Sequence, residues 1–172
     1  MTAKSKTSIL FVCLGNICRS PLAEGIFAAV LAEQGAGEAF LLDSAGTGGW
    51  HLGSAPDPRS IAVAERHGLD ISWLRARQVS ADDFRRFDLI LGMDRANVDD
   101  LLHIAPEEAR HRIHLFLDFA EGRTADIPDP YYGGPDGFLE VYRMIRSASE
   151  ALADKLLARE DAPESGQASS TT

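Results

Sequence analysis

One stretch near the start of the chain limits the possible folds more than any other. Ile9-Leu-Phe-Val12 is an unbroken apolar run of strand formers; Cys13 to Arg19 follows as a loop, and Ser20-Pro21 opens the segment Leu22 to Glu33. An apolar run without alternation suits a parallel strand covered on both faces. In the third segment Leu22, Ala23, Ile26, Phe27, Val30 and Leu31 recur at helical spacing and make one apolar stripe. Ser20 is the expected helix cap and Pro21 the expected first helical residue, where the N–H that proline lacks would be unpaired anyway. Gly35 and Gly37 are the expected stop. A strand, a glycine-polar loop and a helix in this order begin an α/β unit.

The alternation continues along the chain. Phe40-Leu-Leu42 reads as a second strand running into Asp43-Ser-Ala-Gly-Thr-Gly-Gly-Trp50. A helix is expected from about Asp57-Pro58 to Gly68, with Ile61, Val63 and Ala64 inward. Arg77 to Val79 is a short strand candidate, and Ser80 or Asp82 is placed to cap a brief helix. Leu89-Ile-Leu91 reads as a buried strand, Asp94 opens a helix through Leu102, and Ile113 to Phe116 is extended. Together these predict an α/β fold: a doubly wound parallel sheet of about four strands, with helices on both faces. Residues 120 to 137 are punctuated by glycine and proline and read as loop. A final helix is expected from about Gly137 to Arg159. A single domain over 1–160 is expected, with a frayed lead-in over 1–7 and a disordered polar tail over 161–172.

Charge and cysteine content exclude several classes. The formal net charge of -9 argues against a nucleic-acid binder, which needs basic side chains to neutralise phosphates. Any site for a small anion must then be built locally. Two cysteines make no disulfide framework. Ile9 to Leu14 is too short to span a bilayer, and Gly15-Asn16 interrupts it before it can serve as a signal segment, so no membrane association and a cytoplasmic location are the expectations. His111 and His114 have metal-like spacing without a convincing third ligand and are expected to be surface imidazoles. Gly-Asn-Ile-Cys-Arg-Ser lacks the glycine and lysine of a nucleotide-binding loop. Neither metal nor cofactor is expected.

The chemistry is concentrated in Cys13-Leu-Gly-Asn-Ile-Cys-Arg-Ser20. A tight loop between strand and helix can aim successive N–H groups at phosphate oxygens, and the helix dipole adds to the attraction. Arg19 supplies a planar fork for two such oxygens. The same field favours the thiolate of Cys13, which can attack phosphorus and split hydrolysis into two displacements. Ser20 is placed to hydrogen-bond that sulfur, Gly15 permits the bend, and Asn16 can tie the loop down. A leaving alkoxide or phenolate needs a proton, which Arg19 cannot give. Asp129, beside Pro130, Tyr131 and Tyr132, is one candidate donor; an ordinary Asp-Pro turn is the alternative, and Asp126 is the nearest competitor. Leu14, Gly15, Ile17, Trp50, Tyr131 and Tyr132 are candidate walls of a substrate slot.

VCLGNICRSPLAEG resembles the signature of the low-molecular-weight protein tyrosine phosphatases. The resemblance extends through Asp43-Ser-Ala-Gly-Thr47, Pro56-Asp-Pro-Arg59, Arg77-Gln78, Met93-Asp94 and Asp129-Pro-Tyr-Tyr132, nearly the whole chain before the tail. It implies a phosphate-binding loop after the first strand, with Cys13 as nucleophile, Arg19 as phosphate clamp and Asp129 as general acid. Asn16, Ser20 and Ser44 belong to the supporting network, and Cys18 can form a reversible disulfide with Cys13. The implied partners are tyrosine-phosphorylated proteins, with inorganic phosphate as product and a monomer or weak homodimer as the assembly. Ile17 and the paired tyrosines resemble the tyrosine-directed branch; a protein-arginine phosphatase is the alternative within the family. A phosphoprotein-binding module without turnover is the alternative outside it. The chain lacks the later cysteines of arsenate-reducing relatives. It also departs from many relatives at Trp73, where they carry a histidine, which leaves open how the supporting network is completed.

Overall fold

The computed structural model describes residues 6–161. Its central strand, β1 (Thr7–Cys13), is flanked on one side by β2 (Phe40–Gly46) and on the other by β3 (Leu89–Gly92), with β4 (Ile113–Leu115) beyond β3. All pairings are parallel. Because β2 and β3 lie on opposite sides of β1, the connections diverge at β1 and open a crevice beyond its carboxyl end. Cys13, the last residue of β1, stands at that crevice.

The unbroken apolar run has the expected cause. Ile9 and Phe11 face one layer and Leu10 and Val12 the other, and none of the four is exposed. The first layer contains α1 (Arg19–Glu33), α2 (Pro58–Glu65), α5 (Phe116–Glu121) and α6 (Pro135–Asp161). The second contains α3 (Asp83–Arg86) and α4 (Arg95–Ile104). Phe11 meets Phe27 of α1 and Phe116 of α5 edge-on at 5.9 and 5.6 Å, which holds β1 against both helices. Such pairs add about 0.5–1.5 kcal/mol beyond burial.

Several local expectations are corrected. Thr7 is not lead-in: it pairs with Phe40, because β2 is long enough to extend the ladder. β2 runs through Asp43-Ser-Ala-Gly46 rather than ending at Leu42. Arg77 to Val79 makes one bridge, Gly46 with Gln78, and no full strand. α3 has no side-chain cap; instead the Asp83 carboxylate accepts from the Ser80 N–H at 2.8 Å. Phe116 starts α5 instead of ending β4. His114 is not a surface imidazole, since it is half-buried against Phe119. The expected frayed start over 1–5 and polar tail over 162–172 lie outside the described residues. Among the described residues no helix is long and apolar enough to cross a membrane.

Candidate active site

Five residues separate Cys13 at the end of β1 from Arg19 at the start of α1, so the chain between them must turn tightly. Asn16 takes the left-handed conformation (φ 58°) that the turn needs, which asparagine tolerates better than most residues. Its amide is oriented by the backbone N–H of Arg77, which donates to Oδ1 at 2.9 Å. Nδ2 therefore donates to Ser20 Oγ at 2.8 Å and to Ser44 Oγ at 3.1 Å. With a lone pair so occupied, Ser20 can direct its own proton to Cys13 Sγ, 3.1 Å away. The Asn16 N–H approaches the same sulfur at 3.3 Å. Two donors on one sulfur suit an anion.

The expectation that Ser20 caps α1 is corrected. α1 begins two residues earlier than a Ser20 cap requires; Cys18 occupies the cap position without a side-chain cap bond, and Ser20 and Pro21 are the second and third residues of the helix. Proline costs nothing there, because every N–H of the first turn lacks an intrahelical acceptor.

The loop carbonyls point outward. Those of Cys13, Leu14 and Ile17 accept from the N–H groups of Thr47, Gly48 and Asp57 at 3.0, 2.9 and 2.8 Å. A Cβ on Gly46 would lie 2.8 Å from the Leu14 carbonyl oxygen, so this approach requires glycine. The N–H groups of Gly15, Ile17 and Cys18 have no acceptor among the described residues. Donors gathered in this way form an anion nest.

Arg19 closes the nest and is only 2% exposed. Its Nη1 donates to Asp94 Oδ2 at 2.6 Å and to the Ile127 carbonyl at 2.9 Å, while Nη2 lies 3.6 Å from Asp129 Oδ2. Its Nε is buried without a partner among the described residues. Burial works to lower the Arg19 pKa, but the Cys13 sulfur and the Asp94 and Asp129 carboxylates outweigh it and hold the guanidinium above its ordinary range. Cys18, also buried, is pushed up to about 12 by burial and then by the charges of Asp57 and Cys13, so it is a neutral thiol near pH 7.

The supporting network ends on a residue that sequence reasoning missed. Ser44 accepts from Asn16 and so donates to Glu24 Oε1 at 2.7 Å. Trp73 takes no part in it: the indole is exposed and donates to the Asp70 carbonyl. Glu24 and the Arg77 backbone complete the network instead. Burial pushes the Glu24 carboxyl up from 4.5 to about 7, with Asp43 adding to the rise and the Ser44 hydrogen bond and Arg77 opposing it. Between these two values the folded state binds a proton that the unfolded state has lost. Stability therefore falls as pH rises through this window, by at most about 3 kcal/mol. Glu24→Gln removes this dependence, so calorimetry should find the variant gaining on the wild type in melting temperature from about pH 5 to about pH 7. A constant difference across that range would mean that Glu24 ionises at its ordinary pH.

A cavity of about 320 Å³ lies over the nest, lined by all six of the expected wall residues together with Cys13, Cys18, Arg19, Asp129 and His51. Trp50 and Tyr132, 71% and 94% exposed, form its outer rim. Trp50 lies on Gly48, where a Cβ would come within 1.7 Å of the indole. His51 was missed, although it sits beside Trp50 in a glycine-flanked loop. Its ring passes close to Gly15, where a Cβ would be 3.1 Å from Cδ2.

Asp129 faces this cavity, with Oδ1 accepting from the Tyr131 N–H at 3.0 Å. Asp126 does not compete for the position. It is bound to the Arg95 side chain and N–H, and these hold its carboxyl below the ordinary range. Asp94 has two uses: Oδ1 caps α4 through the Asn97 N–H at 2.7 Å, and Oδ2 holds Arg19. Sequence periodicity made the first legible and not the second.

A sequence profile described as "Low molecular weight phosphotyrosine protein phosphatase" matches residues 8–162. A protein of that name from Schizosaccharomyces pombe is 43% identical over 144 residues, covering 83% of this chain and 92% of its own. A low molecular weight protein-tyrosine-phosphatase from Streptomyces coelicolor is 45% identical over 148 residues, covering 84% and 90%. Among solved structures, a protein tyrosine phosphatase from Entamoeba histolytica with Hepes in the active site superposes with a TM-score of 0.85 at 38% identity, covering 90% of this chain and 99% of that one. The YwlE arginine phosphatase superposes with a TM-score of 0.81 at 21% identity, covering 87% and 95%, a likeness of fold alone.

Proposed function

Because this chain belongs to the low molecular weight phosphotyrosine protein phosphatase family, we propose that it hydrolyses phosphotyrosine in proteins through a phosphoryl group carried on Cys13. The observation that carries the reading is Arg19: a buried guanidinium with one nitrogen spent on Asp94 and Ile127, and Nε left without a partner above a donor-lined loop. A phosphate dianion satisfies that nitrogen and the loop N–H groups together.

In the first step the Cys13 thiolate attacks phosphorus as the phosphorus–oxygen bond to the phenol breaks. Asp129 gives its proton to the departing oxygen. In the second step water attacks the cysteinyl-phosphate, Asp129 takes the water proton, and the sulfur leaves as a thiolate received by the Ser20 hydroxyl and the Asn16 N–H. Inorganic phosphate is the product. Arg19 and the loop donors stabilise the charge on the equatorial oxygens in both steps. No step requires a metal.

The slot favours a long planar side chain: Ile17 forms part of its lining, and Trp50, Tyr131 and Tyr132 line its rim. The disulfide assigned to this loop forms when peroxide oxidises Cys13 to a sulfenic acid and the Cys18 thiol condenses with it, releasing water. As a neutral thiol Cys18 does so slowly.

The test is a panel of phosphotyrosine, phosphoserine and phosphoarginine peptides assayed without added metal. Release of phosphate from phosphotyrosine at least about 100-fold faster than from the others supports the reading; a preference for phosphoarginine would assign the chain to the other branch, and binding without release would make it a phosphoprotein-binding module.

A further inference from the structure

The loops carrying Cys13 and Asp129 are remote in sequence and share no strand or helix. Besides the contacts of Arg19 with Asp129 and the Ile127 carbonyl, a second pair of side chains joins them. Asp57 caps α2, and its N–H donates to the Ile17 carbonyl of the Cys13 loop at 2.8 Å. Its buried carboxylate accepts from Arg59 through the backbone N–H (2.8 Å), Nε (3.0 Å) and Nη2 (2.9 Å). Two side-chain bonds from one fork fix the plane of the guanidinium.

The same guanidinium reaches the second loop. Arg59 Nη1 reaches the Gly133 carbonyl at 3.4 Å, and the guanidinium carbon lies 5.5 Å from the Tyr131 ring centroid and 4.6 Å from that of Phe138 in α6. Tyr131 in turn donates its N–H to Asp129 Oδ1, and the Gly133 N–H closes the turn onto the Pro130 carbonyl at 3.0 Å. Arg59 thus touches Tyr131 and Gly133, two residues of the turn that follows Asp129. Neither Asp57 nor Arg59 lines the cavity over Cys13, so neither is placed to contact substrate.

We infer that Asp57 and Arg59 form a strut that fixes the Asp129 turn against the Cys13 loop, which makes Arg59 a positioning residue for proton delivery to the leaving group. This rests on the reading of Cys13 as nucleophile and Asp129 as acid. A loosened strut leaves the phosphate nest intact and misplaces the acid, so the damage depends on how much proton the leaving group needs. Phenolate and tyrosinate need it; p-nitrophenolate, a far weaker base, needs little.

The experiment compares kcat/KM for phenyl phosphate and p-nitrophenyl phosphate in Arg59→Met, which keeps the apolar stem and removes the fork. The expected result is a fall of about tenfold on phenyl phosphate and less than about twofold on p-nitrophenyl phosphate. Arg59→Lys should resemble Arg59→Met, since a point charge reproduces neither the two-pronged pair nor the stacking. In an Asp129→Asn background, Arg59→Met should leave the ratio of the two substrates unchanged. Equal losses on both substrates, or a ratio that still moves in that background, would overturn the strut. Asp57→Asn, which keeps the α2 cap, should produce the same selective loss and carries the test if the Arg59 variants fail to fold. Should Asp129→Asn alone leave phenyl phosphate turnover intact, the assignment of the acid fails, an outcome distinct from failure of the strut.

Discussion

Cys13→Ser reduces turnover of p-nitrophenyl phosphate by roughly 10⁴–10⁶-fold, the scale on which removal of a covalent nucleophile acts. The substitution is small in volume, and the Ser20 hydroxyl and Asn16 N–H can donate to an oxygen as they do to the sulfur. What changes is the nucleophile: an alcohol is not ionised near neutral pH, and Asp129, protonated to serve the leaving group in the first step, does not take its proton. The nest itself survives, because Arg19 is held by Asp94 and Ile127 rather than by Cys13. The variant should therefore still bind inorganic phosphate, seen as a rise in melting temperature with added phosphate. Turnover within about tenfold of wild type would rule out attack by Cys13.

Asp129→Asn slows hydrolysis of phosphotyrosine by roughly 10²–10⁴-fold. The variant amide oxygen can still accept from the Tyr131 N–H, so the turn keeps its shape and the loss reports the proton. The two steps separate with a good leaving group. p-Nitrophenolate departs without much help, but the attacking water still lacks its base, so rapid mixing should show about one equivalent of p-nitrophenol per enzyme followed by a slow steady state. Wild-type turnover on phosphotyrosine would remove Asp129 from the reaction.

The residues that carry these predictions were legible in sequence to different degrees. Cys13 and Arg19 are adjacent to the least ambiguous elements of the chain, the apolar run of β1 and the striped α1, and a short loop must bring them to one point. Asp129 was only a candidate on its own chemistry, since an aspartate before proline serves equally well in an ordinary turn. The family resemblance favoured it, and it lines the same cavity as Cys13 while Asp126 is bound elsewhere. Glu24 reads as an exposed-face residue between apolar positions of α1, and nothing local indicates that Ser44 of β2 will reach it. Arg59 reads as a charge in the first turn of a helix; its rings come from residues more than seventy positions away.

Local order, then, was written in the chain. Apolar runs, periodic stripes and glycine stops are short-range signals, and they sufficed for a parallel sheet wound on both sides with an anion loop after its first strand. The tertiary structure alone decided which polar groups meet: the carboxylates on Arg19, the amide orientation of Asn16, and the strut between the two loops. Hydrogen bonds and ion pairs of that kind act over about 3 Å, and only the packed fold brings partners from distant segments within that range.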